Sequence, residues 1–275
     1  MKEFFQNNVN LTRAFIVIYI IVAIILLVSI WAPKFNSNIP EFAHYTEYSN
    51  EEIAKKMSGY YSSIILSRLI IEREDKIVES VSKEYLDYYD LTSEDVKQYL
   101  RENNIYGVGA TIGAVTANVD GNKYIYSFNA INNSNFVKMN VVETYPYNYA
   151  ITFEDFISYS KVNRVVQKHD IKISVLTKCQ KINSIEYEIE IENIGNESLE
   201  FNISSATDVY VIYNDDEREA MINPASYGTD SLEKGSTIRK TISFELPIGF
   251  HSNIDAISFT NVVVEGVSGN IEIEM

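Results

Sequence analysis

An α+β unit followed by an all-β unit, both behind one apolar N-terminal helix, is the architecture expected of this sequence. Three observations lead to it. Ala14 to Trp31 (AFIVIYIIVAIILLVSIW) is apolar and free of charge. From Tyr48 to about Leu100 apolar residues recur at steps of three and four, the period of a helix face. From Ile112 onward, and above all after Val162, they recur at steps of two, the period of a strand face. The expected division is an N-terminus 1–13, a transmembrane helix 14–31, a linker 32–40, an α+β unit 41–160 and a β-sandwich 161–275.

Thirteen residues of the apolar run are Phe, Ile, Val or Leu. At about −0.3 to −0.6 kcal/mol each, they favour insertion into a bilayer by about 4 to 8 kcal/mol. A helix of this length spans about 27 Å, close to a hydrocarbon core. The run ends Ser29-Ile30-Trp31-Ala32-Pro33, so a cut after Ala32 would put bulky Ile30 where a signal-peptidase site needs a small residue. The sole cysteine, Cys179, is too far along to carry a lipid anchor. An uncleaved signal anchor is therefore expected, with the lipid bilayer as the first partner. Lys2, Arg13 and the α-amine precede the run, against Lys34 just after it, which leaves the short N-terminus cytoplasmic and the bulk of the chain extracytoplasmic.

A net charge of −15 argues against nucleic acid and against anionic lipid or wall polymers, all of which need basic surface. A single cysteine excludes an internal disulfide framework. With abundant Ile, Asn, Tyr and Lys, this suits an exported protein of a Gram-positive bacterium with an AT-rich genome.

Ser49 or Asn50 can cap a first helix, with Glu51 and Glu52 in its opening turn and Ile53, Met57, Tyr60, Tyr61, Ile64 and Leu69 along its apolar side. A second helix is expected near Lys76 to Tyr89, and a third from Thr92 or Ser93, carrying Val96, Tyr99 and Leu100. Strands follow at Ile112 to Asn118, Lys123 to Ala130, Phe136 to Tyr145 and Ala150 to Phe156, with a hairpin signal at Asp120-Gly121.

In the all-β part, IEYEIEIEN alternates Ile185, Tyr187, Ile189 and Ile191 with four glutamates. Burying the four apolar residues is worth roughly 1.5 to 3 kcal/mol each. Glutamates about 7 Å apart in water repel by only about 0.6 kcal/mol, and Lys172, Lys178, Lys181 and Arg239 are at hand to offset them. The same alternation runs through Ile171, Ile173, Val175, Thr177 and Cys179, which puts the cysteine on the inward phase as a buried small hydrophobe.

Motifs that carry chemistry are scarce. GVGATIG at Gly107 to Gly113 has Ile112 in the sixth place of a dinucleotide loop and enters a strand instead of a helix, so it reads as a strand start. Asn214-Asp215-Asp216-Glu217 has Glu219 and Ala225 where a helix–loop–helix calcium loop needs Gly and Glu, leaving a solvated hairpin tip or a weak loop-bound cation. His44, His169 and His251 show no metal spacing. No catalytic residue, cofactor site or metal site is therefore expected. Tyrosine is the one enrichment that fits binding: fifteen of twenty fall between Tyr45 and Tyr159. Tyr124, Tyr126, Tyr145, Tyr147 and Tyr149 form the candidate ligand surface, suited to sugars or peptides, unless these rings simply fill a core.

The stretch YLDYYDLTSEDVKQYL (85–100), leading into strands that end YPYNYAITFEDF (145–156), resembles the cystatin-like α+β fold of nuclear transport factor two. That resemblance implies a cone that holds small ligands or builds assemblies. IEIENIGNE (189–197), LEKG (232–235) and FELP (244–247) resemble the telokin-like, immunoglobulin-type domains of Gram-positive surface proteins, which carry no catalytic residues. The combined expectation is a non-catalytic, membrane-anchored surface module for binding or assembly, partnered by other envelope or surface proteins. The alternatives are a component of a type IV secretion-like machine, or a receptor for wall sugars or peptides.

Overall fold

The computed structural model describes residues 49–120, 123–144, 148–214, 217–223, 226–246, 248, 254–264 and 267–275. The expected N-terminus, anchor and linker (1–40), His44, His251, Tyr145 and Tyr147 lie outside the described residues. Among the described residues, no helix is long and apolar enough to cross a membrane. The described residues are mostly β, built from several antiparallel sheets, with four α-helices among them. Asn50–Met275 form one compact unit, and the boundary expected between 160 and 161 falls inside a single continuous strand.

The helices come first: α1 (Asn50–Ile70), α2 (Glu74–Val78), α3 (Lys83–Tyr89) and α4 (Ser93–Glu102). Helix α1 buries Ala54, Met57, Tyr61, Ile65 and Leu69, one residue per turn. Helix α4 opens on a reciprocal cap. The Asp95 N–H donates to the Thr92 hydroxyl (3.3 Å) and the Thr92 N–H to the Asp95 carboxylate (2.7 Å). The helix expected over Lys76 to Tyr89 is instead two. Val81 pairs with Ile151 as in a parallel sheet: the Ser82 N–H donates to the Ile151 carbonyl (2.8 Å) and the Ile151 N–H to the Ser80 carbonyl (2.7 Å). Sheet-edge bonding outcompetes helical continuity here, and Ser82 restarts the helix as the N-cap of α3.

Strands β1 (Thr111–Ile112), β2 (Thr116–Asp120), β3 (Lys123–Asn132), β4 (Asn135–Thr144) and β5 (Asn148–Phe153) make an antiparallel sheet of order β1-β3-β4-β5, with β2 also pairing β3. Its register sets Tyr124 opposite Glu143, Tyr126 opposite Val141 and Phe128 opposite Met139, all buried. This face lies against α1, and the Tyr61 and Tyr126 rings stack at 5.6 Å.

The remaining strands are β6 (Phe156–Lys168), β7 (Ile171–Lys181), β8 (Ile185–Asn193), β9 (Leu199–Ile203), β10 (Val209–Tyr213), β11 (Glu217–Ala220), β12 (Gly228–Leu232), β13 (Thr237–Phe244), β14 (Ile254–Val264) and β15 (Val267–Glu274). Two four-stranded sheets, β13-β8-β7-β6 and β11-β10-β14-β15, share one core with the β9–β12 pair. Ile185, Tyr187, Ile189 and Ile191 are completely buried in it, as their alternation requires. Their intervening glutamates meet Lys172, Lys181 and Arg239 across the strands, at 2.6 Å for Lys172–Glu192 and 2.7 Å for Lys181–Glu186.

One strand departs from its pattern. A bulge between Val175 and Thr177 shifts the register, so that Val175 faces Ile189 but Cys179 faces Glu186. Cys179 is buried as expected but on the opposite face, where the Tyr88 side chain of α3 bonds it.

IEIENIGNE and LEKG meet at Asn193, which is fully buried. Its amide donates to the carbonyls of Glu197 (2.8 Å) and Leu232 (2.9 Å) and accepts from the Gly195 N–H (2.9 Å). The backbone at Gly195 passes so close to Asp170 that a Cβ there would sit 2.7 Å from that side chain. Asn193→Ala is therefore expected to lower unfolding free energy by about 2 to 4 kcal/mol, since it strands several buried polar groups. Glu190→Ala, on the wet face, is expected to shift it by under about 1 kcal/mol. Urea titrations of the two variants check the contrast.

Candidate ligand site

The five-stranded sheet separates two environments. On the helix-covered face the Glu143 carboxylate, 2 % exposed, accepts from the Tyr61 hydroxyl (3.0 Å) and the Tyr126 hydroxyl (3.1 Å). Burial, reinforced by the Glu143 charge, pushes both phenols well above their ordinary value, so they remain protonated donors. Tyr149 packs 4.9 Å from Tyr61, and the Arg68 guanidinium lies 5.8 Å over its ring. Of the residues singled out from sequence, Tyr126 is wholly buried and Tyr124 is 6 % exposed, so both belong to this interior. Tyr149 is half-buried with its ring on this face beside Tyr61 and Arg68, and the residue also borders a cavity on the other side of the strand layer.

There a cavity of about 200 Å³ opens between the sheet, the start of α3 and the start of β6. Val142, Ala150 and Ile157 supply apolar wall. Ile125, Val142 and Ile157 form a small buried cluster with Ile182 and Ile248 packed against it. Ser82, Thr152 and Ser158 also line the cavity, but their hydroxyls are engaged, with the Tyr85 N–H, the Phe156 carbonyl and the Gln180 side chain respectively. Lys123, Glu84 and the Asn148 amide complete the lining. Lys123 and Glu84 make no ion pair among the described residues, and neither does the Asn148 side chain make a hydrogen bond there. Glu84 is held in place by one bond, its Oε2 accepting from the Tyr159 N–H at 3.2 Å.

Position along α3 decides which of its side chains reach the cavity. Tyr85 packs edge-on against Phe153 (5.5 Å) and Phe156 (5.3 Å), and Tyr88 packs on Tyr159 (5.3 Å) while donating to Glu186 (3.2 Å). With those two turned inward, Ser82 and Glu84 face the cavity mouth. Sequence reasoning found the tyrosines and missed Lys123, Glu84 and Asn148, which come from three separate segments with no shared motif.

Among the described residues no group of three His, Cys, Asp or Glu could hold a metal ion. GVGATIG is explained by packing. Gly107 has a φ of +107°, and a Cβ on Gly109 would lie 2.8 Å from the Asn132 amide oxygen, whose amide nitrogen ties down the Asn104 and Tyr106 carbonyls. Asp215 and Asp216 lie outside the described residues. Comparison with protein-family models, with curated proteins and with solved structures yields no match.

Tyr126→Phe removes one of the two phenol donors to Glu143 and is expected to cost about 1.5 to 3 kcal/mol, readable by denaturant titration. A second expectation concerns pH. Burial pushes the Cys179 thiol up to about 11, whereas an unfolded thiol ionises near about 8.5. The folded chain therefore keeps the proton that the unfolded chain loses, and stability contributed by this group falls as pH rises through that window. Alkylation of native chain at pH 8 is expected to be far slower than that of urea-unfolded chain, and the two rates should be compared by mass spectrometry.

Proposed function

We propose that this protein is a single-pass, membrane-anchored extracytoplasmic binding or assembly module of a bacterial cell surface, and that it is not an enzyme. The observation that carries the reading is the uncharged run 14–31, whose length and composition match a retained transmembrane helix, standing ahead of a large folded unit at Asn50–Met275. In this reading the helices and five-stranded sheet follow the nuclear transport factor two-like plan, and the two four-stranded sheets form an immunoglobulin-like sandwich. Two findings support that assignment: a single helix-covered sheet face, and a core shared by both later sheets.

The receptor alternative draws on one specific observation, that Tyr149 and unpaired polar groups line a cavity open to solvent. A small-molecule ligand and a surface location are compatible, and the two readings merge into a tethered binding module.

Protease added to intact cells should remove the folded unit and leave a membrane-bound fragment containing residues 14–31. An untouched folded unit, or a mature chain that begins beyond Pro33, overturns the placement.

A further inference from the structure

We infer that Arg164 and Lys168 of β6 form a clasp over the edge of β15, and that this edge, once unclasped, pairs with β15 of a second copy of the chain. The inference rests on the assembly half of the reading above, whose partner it names, and it holds wherever the chain is anchored.

Strand phase is the first argument. Register with β7 sets Arg164 opposite Val175, Val166 opposite Ile173 and Lys168 opposite Ile171. Those three β7 residues are completely buried in the shared core. Two cations therefore stand on the inward phase of β6, where β7 and β8 carry Ile, Val and Tyr. On the outward phase, between them, Val165 is 57 % exposed. Solubility does not explain such an inversion, which turns charge inward and leaves an apolar side chain in water. An inward-pointing charge on an edge strand acts against the addition of a further strand. No acidic residue occurs between Phe156 and His169, so neither cation has a carboxylate to answer on its own strand.

The second argument is where the two side chains go. Among the described residues β6 pairs only with β7 and β15 only with β14. Val162 and Val166 of β6, and Met275 just past β15, pack against the shared core. There the Arg164 guanidinium donates to the Met275 carbonyl (3.3 Å) and the Lys168 ammonium group to the Asn270 carbonyl. A step forward along β6 answers to a step back along β15, so the two strands run antiparallel across the gap. Side chains stand where the N–H groups of an added strand would.

The third is what the covered edge offers. The Met275 N–H turns toward β14, to the Asp255 carbonyl (2.9 Å). By the alternation of an antiparallel ladder, Ile271 and Ile273 bond β14, and Asn270, Glu272 and Glu274 present N–H and C=O groups outward. A two-fold pairing of β15 centred on Ile271 sets Glu272 opposite Asn270 of the second copy and keeps the glutamates apart. It also extends the sheet β11-β10-β14-β15 into one of eight strands. Pairing of β6 with β6 would instead bring positive charge to positive charge.

The test is sedimentation velocity of the full chain in density-matched detergent micelles, with wild type as the reference. Arg164→Ala/Lys168→Ala is expected to reach twice the wild-type mass, with self-association at least about tenfold tighter. That variant makes the net charge of −15 more negative by two, so long-range repulsion opposes the expected result. Lys161→Ala removes an exposed cation of β6 that makes no bond to β15 among the described residues, and it should keep the wild-type mass. Glu272→Pro, added to the double variant, removes an outward N–H and should restore that mass. The exchange Arg164→Lys/Lys168→Arg should keep it as well. An unchanged mass of the double variant, association that persists with Glu272→Pro, or equal association of Lys161→Ala overturns the inference. Should the double variant lose its cooperative melting transition, Lys168→Ala alone carries the same expectation and the same refutation. Protease shaving of intact cells reads the placement separately, so failure of the one is distinguishable from failure of the other.

Discussion

Phe156 sits where the chain leaves the five-stranded sheet and enters the next, and it is held from both sides. Its ring is fully buried among Tyr85, Tyr88 and Tyr89 of α3, with centroids 5.3, 5.5 and 5.9 Å away. Its carbonyl accepts from the Thr152 hydroxyl (2.6 Å) and the Asn140 amide (3.1 Å) on the sheet it has just left. The two-residue connection through Glu154, with a φ of +55°, leaves little room for another direction. Helix α3 is thereby fixed against both sheets, and the placement of Ser82, Glu84 and the Tyr159 N–H around the cavity follows from it. Loosening this seam would disperse the site before it unfolded either core.

Tyrosine serves this architecture in a way phenylalanine could not. Tyr61 and Tyr126 donate to Glu143, Tyr88 to Glu186 and Tyr99 to Glu154. An acidic chain must satisfy carboxylates wherever packing buries them, as at Glu143, where a lysine or arginine partner would bring a second desolvation penalty; Glu186 also pairs with Lys181, and Glu154 is exposed. A phenol brings a donor together with a large apolar ring, so one side chain both fills the core and answers the charge. This pairing accounts for four of the fifteen tyrosines between Tyr45 and Tyr159.

How much of this could be read in advance depended on the range of the interactions. Helix α1, the Thr92–Asp95 cap and the β8 alternation rest on neighbours within a few residues, and the sequence shows them directly. The break at Val81 depends on Ile151, seventy positions away, and the one local hint of it is the N-cap serine at Ser82. The bulge at Val175–Thr177 reversed the phase of Cys179 because alternation counts residues and cannot see one extra. The cavity was illegible for the same reason in stronger form. Lys123, Glu84 and Asn148 have no common period or motif; pairing through β4 brings Lys123 and Asn148 together, and the Tyr159 N–H holds Glu84.

Net charge bears finally on the field around the molecule. The paired glutamates of β8 are partly exposed, and pairs of that kind contribute about 0 to 1 kcal/mol each, far less than the apolar residues between them. Their charge is thus available to shape the field around the molecule instead of its stability. A chain at −15 repels small anions at long range, over roughly a Debye length of 8 to 10 Å.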